Sequence, residues 1–219
     1  MSTDFIKVAS PLVDEEEVEA VRQVLLSGRY VSGQLVREFE ESFARYIGVE
    51  HAVAVNSGTA ALHAALNAID IGPGDEVIVP AMTFFATATA VIHQGGVPIF
   101  CDISLDNFCM DPADFERSIT ERTKAVIPVH FFGHAAEMDA INSIARSHDL
   151  AVVEDSAQAH GTEYRGRKVG SLGDLSAWSF FATKHMTTGE GGAITTNNSQ
   201  WAEKMRLFRP CKLFRETQM

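Results

Sequence analysis

A single lysine, Lys184, stands between an aromatic run and a glycine cluster in the stretch SFFATKHMTTGEGGAIT, residues 179–195. Phe180 and Phe181 precede it closely, and glycines follow it. Most lysines lie on solvated faces, so the simplest interpretation is a surface side chain in a loop. The alternative is an amine held in an apolar pocket, where it can react with a carbonyl group.

A possible anion site lies in the sequence NSGTAAL, where Ser57, Gly58 and Thr59 separate a predicted strand from a predicted helix. Free N–H groups and the helix dipole bind phosphate at such a helix start. Gly58 would allow close approach of the phosphate, and Thr59 would add a hydroxyl donor. Taken alone, these residues are explained more simply by an ordinary N-cap. Ser179, at the predicted end of another strand, could give a second hydroxyl to the phosphate.

Two further side chains follow predicted strands. Asp155 ends the apolar run AVVED, where its carboxylate could keep a heteroaromatic ring nitrogen protonated. At about 4 Å and an effective dielectric of about 20, such a pair gains about 4 kcal/mol before desolvation. A helix N-cap is the competing interpretation of Asp155. One of Phe84 and Phe85 could stack on a flat ring, although phenylalanine is more often packed in a core.

Each of these signals is weak alone, but together they make up one kind of site. A phosphate site, an aromatic stacker, an acid for a ring nitrogen and an isolated lysine are the parts that hold pyridoxal 5′-phosphate (PLP). The residues therefore predict PLP as the cofactor.

The elements that must position these residues are short apolar strands alternating with helical patterns. The predicted strands are HAVAV, EVIVP, VPIFCDI, KAVIPVHFFG, AVVED, LSAWSFF and GGAITTN. This alternation predicts a three-layer α/β fold, in which helices cover both faces of a mainly parallel sheet. Ligands bind at the carboxyl ends of the strands in such sheets, so the loops after the strands should carry the site.

Composition limits the possible partners. The chain has 219 residues, 46% of them apolar, and a net charge of −11. The charge argues against a nucleic acid or an anionic membrane surface as a partner. The first residues lack a signal-peptide pattern, no apolar run reaches membrane-spanning length, and three cysteines suggest no disulfide framework. We therefore expect a cytoplasmic protein.

Other site chemistries find little support. His130, His134 and Asp139 could suggest a metal, but ordinary surface and core roles explain them more simply, so no metal is expected. No G-x-G-x-x-G follows a predicted strand, and no serine-hydrolase elbow is present.

The chain resembles the DegT family of sugar aminotransferases, which use PLP within the aspartate-aminotransferase fold (fold type I). The resemblance runs from about residue 8 to about residue 209. It is carried by SGRYVSGQLVREFEESFARYIG, AVAVNSGTAALHAAL, GPGDEVIVPAMTFFATATAV, TKAVIPVHFFGH, VVEDSAQAHGTEYRGRKVGSLGD and SFFATKHMTTGEGG. Several of these stretches are specific to the family.

The resemblance implies a role for each matching residue. Lys184 would form the internal aldimine and then move protons as general acid and base. Asp155 would pair with the pyridine nitrogen, Phe84 would stack on the ring, and Gln158 would lie over or beside it. Three residues would hold the phosphate: Gly58, Thr59 and Ser179.

The family's usual reaction moves an amino group from glutamate to a keto group on a nucleotide-linked sugar. Its products feed lipopolysaccharide, surface-glycan or antibiotic pathways, and its members are expected to be homodimers. A related branch of dehydratases has histidine in place of the aldimine lysine. Here Lys184 occupies that position and His185 comes one place later, so the resemblance favours an aminotransferase.

The resemblance also implies three parts of the chain. We expect an N-terminal helical segment at residues 1–30, a PLP-binding large domain at 31–209 and an atypical tail at 210–219. The family's smaller C-terminal domain is expected to be absent, because the tail, PCKLFRETQM, resembles nothing in the family. Two alternatives to an active aminotransferase therefore stay open: a remnant that binds PLP or a partner subunit, and a PLP-dependent sugar dehydratase.

Overall fold

The computed structural model describes residues 9–209. The predicted tail at 210–219 and the first eight residues of the predicted N-terminal segment lie outside the described residues. The helices are α1 Glu15–Ser27, α2 Gln34–Ile47, α3 Gly58–Ala68, α4 Ala86–His93, α5 Pro112–Arg117, α6 Met138–Ser147 and α7 Ser199–Phe208. The strands are β1 His51–Val55, β2 Glu76–Pro80, β3 Val97–Cys101, β4 Thr123–Val126, β5 Ala151–Asp155, β6 Glu163–Tyr164, β7 Arg167–Lys168, β8 Leu175–Ser179 and β9 Gly192–Thr196.

Seven strands form one sheet in the order β1-β9-β8-β5-β4-β2-β3. The neighbours from β8 to β3 pair in parallel, whereas β9 is antiparallel to both β8 and β1. Within residues 9–209, β9 is thus the one strand of this sheet that runs against the others. The prediction of a mainly parallel sheet in an α/β fold is confirmed. The carboxyl ends of six strands consequently meet at one edge.

Helices cover both faces of the sheet, as the continuous apolar strands predict. In β2, Val77 and Val79 pack with residues of α3, α4 and α7, whereas Ile78 packs with residues of α5 and α6 on the opposite face. This alternation follows the two-residue period of a strand. A third apolar cluster joins α2 to β1, β8 and β9, with Trp178 fully buried in it.

One local prediction was wrong, and one local element was missed. The run KAVIPVHFFG is a strand only as far as Val126, because Pro128 has no N–H to donate to a sheet. Val129 then makes one isolated bridge to Asp155, and residues 131–133 form a 3₁₀ turn. The hairpin of β6 and β7 was not predicted.

Helix α1 lies outside these clusters. None of its residues is buried, and Val18, Val21 and Leu25 are more than half exposed. No helix in residues 9–209 is both long and apolar enough to cross a membrane.

Candidate active site

A cavity of about 400 Å³ lies at the edge where the carboxyl ends of the strands meet. All the residues that the sequence predicted for the site line it: Gly58, Thr59, Phe84, Asp155, Gln158, Ser179 and Lys184. A larger cavity of about 510 Å³ lies between α2 and α7 but contains none of these residues. The smaller cavity is therefore the candidate active site.

The start of α3 forms one wall of this cavity. Ser57 is the N-cap, and its hydroxyl accepts the N–H of Ala60 at 3.1 Å. The N-cap interpretation is thus correct for Ser57, but the cap leaves the backbone N–H groups of Gly58 and Thr59 free to bind a ligand. Gly58 and Thr59 occupy the first turn, where backbone N–H groups have no acceptor inside the helix. The N-terminus of α3 can therefore receive an anion.

The anion-binding wall depends on a close approach between α3 and β8. A β-carbon placed on Gly58 would lie 2.8 Å from the Cβ of Ser179, nearer than such atoms normally come. Ser179 ends β8 and is buried except for a small exposed fraction. Only glycine at position 58 lets the helix start and this serine lie side by side. The arrangement combines N–H donors and a hydroxyl, a donor set suited to phosphate.

Asp155 lies at the end of β5, next to this wall, and is buried. Its Oδ2 accepts the hydroxyl of Thr87 at 2.9 Å, and its Oδ1 accepts the N–H of Ala157 at 3.2 Å. Burial raises the pKa of Asp155, while these hydrogen bonds and the charge of Lys184 oppose the rise. A turn rather than a helix follows Asp155, so the helix N-cap interpretation was wrong.

Lys184 lies in the loop between β8 and β9, where its backbone N–H donates to the carbonyl of Phe181 at 2.9 Å. The side chain is half-buried and lines the cavity. Burial lowers the pKa of Lys184, and the nearby Asp155 carboxylate partly offsets this effect. His185 is exposed and does not line the cavity. The lysine that shares this cavity with the anion-binding wall is therefore residue 184.

Two other predicted residues complete the wall. Phe84 is 57% exposed, and its ring centroid lies 4.3 Å from that of Phe85. The alternative of Phe84 as a core residue was therefore wrong, because the ring stands at the cavity. The Oε1 atom of Gln158 accepts the N–H of Phe132 at 3.0 Å, which fixes the orientation of its amide.

A buried carboxylate supports the sheet behind the cavity. Glu154 precedes Asp155 on β5 and points to the opposite face of the sheet. It is fully buried and accepts hydrogen bonds from His130 Nε2 at 2.8 Å and from the N–H of Gly170 at 2.7 Å. Burial opposes its charge, but these bonds outweigh it and hold the pKa of Glu154 below its ordinary value. The carboxylate thus ties the loop after β7 to the core.

The residues considered for a metal have separate partners. His130 pairs with Glu154, His134 Nδ1 lies 3.0 Å from the carbonyl oxygen of Ala135, and Asp139 Oδ2 lies 2.6 Å from Arg165 Nη1. The three side chains therefore do not converge on one point.

Sequence reasoning missed other residues of the cavity. These include Leu62, Thr83, Val129, Thr183 and Glu190. It also missed Thr87, which contacts Asp155 from α4. The spacing of Phe84 and Thr87, three residues apart in a predicted helix, was the available signal, because such residues share a helix face.

Comparisons with known proteins agree with this fold and this site. Residues 11–218 match the DegT/DnrJ/EryC1/StrS aminotransferase family. The chain is 50% identical to GDP-perosamine synthase of Caulobacter vibrioides over 205 residues, which are 93% of this chain and 55% of that protein. The chain spans about half the length of the curated relatives it matches.

Solved structures show the same architecture. DesV of S. venezuelae, in complex with a ketimine intermediate, superposes with a TM-score of 0.87 at 43% identity, covering 93% of this chain and 56% of that one. The PLP form of Spr1654 from Streptococcus pneumoniae superposes with a TM-score of 0.88 at 34% identity, covering 92% and 57%. The chain therefore belongs to the DegT/DnrJ/EryC1/StrS aminotransferase family.

Proposed function

We propose that this chain forms the cofactor-binding part of a PLP-dependent aminotransferase. Its substrate would be a keto sugar linked to a nucleotide, with glutamate as the amino donor. One observation carries the proposal: Lys184, Asp155 and the anion-binding start of α3 open onto the same cavity. The name of the relative GDP-perosamine synthase supports a nucleotide-linked sugar. The PLP form of Spr1654 supports the cofactor.

The residues present fit PLP. Gly58, Thr59 and Ser179 would hold the phosphate, because the absence of a β-carbon at Gly58 lets the start of α3 lie directly beside Ser179. Asp155 would hold the proton on the ring nitrogen, and Phe84 would cover a ring face. Gln158 would lie beside the ring, where Phe132 fixes the orientation of its amide.

Bound PLP would supply an electron sink for negative charge on the carbon that carries the amino group. The chain's own contribution is control of protons. Burial lowers the pKa of Lys184, so a larger fraction of Nζ is neutral and able to accept a proton near neutral pH. The Asp155 carboxylate would place a negative charge beside the ring nitrogen. Phe84 and Phe181 would limit access of water from the cavity mouth.

The assembly and the alternatives are also proposals. We infer a homodimer, because the resemblance implies one, and we keep the cytoplasmic location that the composition led us to expect. Lys184 rather than His185 lines the cavity, which favours an aminotransferase over a dehydratase. The other alternative, a remnant that binds PLP or a partner subunit without catalysis, also stays open as a proposal.

Amino transfer is the test of this function. The full chain would be incubated with PLP, glutamate and a set of nucleotide-linked keto sugars, and amino-sugar and 2-oxoglutarate would be measured by mass spectrometry. We expect both products in equal amounts, with none from Lys184→Ala. Lys204→Ala is the matched control, because Lys204 pairs with Asp70 and neither residue lines the cavity. Dehydrated sugar without 2-oxoglutarate would favour the dehydratase, and PLP binding with no product would favour the remnant.

A further inference from the structure

Two threonine hydroxyls connect the cavity wall with the buried carboxylate of Asp155. Thr87, in the first turn of α4, is fully buried and donates to Asp155 Oδ2 at 2.9 Å. The Oγ1 of Thr83 lies 2.8 Å from the Oγ1 of Thr87. Thr83 lines the cavity. The three side chains therefore form a continuous hydrogen-bonded series from the cavity to the carboxylate.

The proton count fixes the direction of this series. A threonine hydroxyl has one proton and two acceptor lone pairs. Because Thr87 gives its proton to Asp155, the proton between the two hydroxyls must come from Thr83. Each hydroxyl thus donates toward the carboxylate. This order supports the ionised form of Asp155, which can only accept hydrogen bonds.

Asp155 needs such support because it is buried. The titratable groups that act on it are Lys184, from the loop between β8 and β9, and His130, from the segment after β4. Its other hydrogen bond, from the N–H of Ala157, is longer, at 3.2 Å. Among these influences, the Thr87 hydroxyl opposes the effect of burial on the pKa most strongly.

We propose that Thr87, backed by Thr83, is a positioning residue that keeps Asp155 ionised and fixed in orientation toward the cavity. The inference rests on the proposed function for what Asp155 faces, namely the ring nitrogen of PLP. The hydroxyl series itself is a property of the chain without cofactor. The hydroxyl series and the role of Asp155 toward PLP can therefore be tested separately.

The first experiment measures Asp155 directly, without cofactor. The full chain is labelled with ¹³C in the aspartate carboxyl groups, and the Asp155 resonance is assigned from Asp155→Asn. A pH titration by NMR then gives its pKa in each variant. We expect Thr87→Val, which has the same shape without the hydroxyl, to raise the pKa of Asp155 further. Thr87→Ser, which keeps the hydroxyl, should restore the wild-type value.

The control is Thr196→Val. Thr196 is also buried and donates its hydroxyl to the carbonyl of Asp174, at the opposite edge of the sheet. It should leave the Asp155 titration unchanged. If Thr87→Val does not fold, Thr83→Val replaces it, because this variant removes the hydroxyl that donates to Thr87. We then expect a smaller increase in the pKa of Asp155. An Asp155 titration that is identical in wild type and in the folded hydroxyl-free variant would overturn the proposal.

The second experiment measures PLP binding by absorbance and fluorescence. We expect binding to Thr87→Val to be about tenfold weaker than to wild type, because a hydrogen bond to a charged group is lost, and binding to Thr87→Ser to be nearly normal. Equal affinities for wild type and Thr87→Val would overturn the role toward the cofactor. Absence of PLP binding by wild type would overturn the proposed function instead, while the NMR titration would still decide the hydroxyl series.

Discussion

Gly58 and Ser179 lie so close together that a β-carbon on residue 58 would stand 2.8 Å from the Cβ of Ser179. The contact joins the first turn of α3 to the carboxyl end of β8. It brings helix N–H donors and a strand-end hydroxyl to one wall of the candidate site. The cavity's affinity for an anion should therefore depend on this glycine.

Gly58→Ala is expected to weaken PLP binding at least tenfold, because the added methyl group forces α3 and Ser179 apart. Overpacking of this kind should also cost about 1–3 kcal/mol of unfolding free energy. Fluorescence titration with PLP and urea unfolding measure the two effects. Gly72→Ala is the matched control, since nothing lies within 4 Å of a β-carbon at that position. Equal PLP affinity in both variants would contradict the assigned anion site.

Glu154→Gln is expected to destabilise the fold by about 3 kcal/mol, a typical cost of breaking a buried charged network. One carboxylate oxygen accepts from His130 and Gly170, and the other accepts from Leu172 and Gly173. The glutamine NH₂ group would face one of these pairs of donors without an acceptor. Urea unfolding near neutral pH measures the loss. Glu163→Gln is the control, because Glu163 forms an exposed ion pair with Lys168 and its loss should change the unfolding free energy little. An equal loss of unfolding free energy in both variants would refute the argument.

His160 should make the fold sensitive to acid. Burial, followed by the charges of His185 and Lys184, lowers its pKa from 6.5 to about 4. Between these values the unfolded chain binds a proton that the folded chain does not, so stability falls as pH falls through this window. His160→Phe should flatten the dependence of unfolding free energy on pH there. His148→Phe is the control, because His148 is exposed. If the unfolding free energy of His160→Phe depends on pH as steeply as that of His148→Phe, His160 does not cause the sensitivity to acid.

The fold could be predicted largely from local patterns, because apolar strands buried on both faces differ plainly from the helices between them. Asp155 was predictable as a strand-end residue for the same reason. The end of β4 was not, because the apolar run continues past Pro128, whereas only one isolated bridge, between Val129 and Asp155, follows there. Pairs such as Thr87 with Asp155 and His130 with Glu154 join residues far apart in the chain. A threonine in a helix and a glutamate in a strand carry no local signal of such partners.

The candidate site follows the same division. The residue types for phosphate, ring and amine were readable in order along the chain, and the sheet brings them to one cavity. Their roles toward PLP stay predictions. The support around Asp155 emerged only from the arrangement of α4 against β5.

The most direct test of the central claim is the site at which PLP attaches to the chain. The full chain would be incubated with PLP, reduced with borohydride and digested, and the modified peptides would be identified by mass spectrometry. The account predicts a visible absorption band and modification concentrated on the peptide that contains Lys184, with Lys184→Ala losing both and Lys204→Ala keeping them. No band from the folded chain, or modification spread evenly over surface lysines, would contradict it.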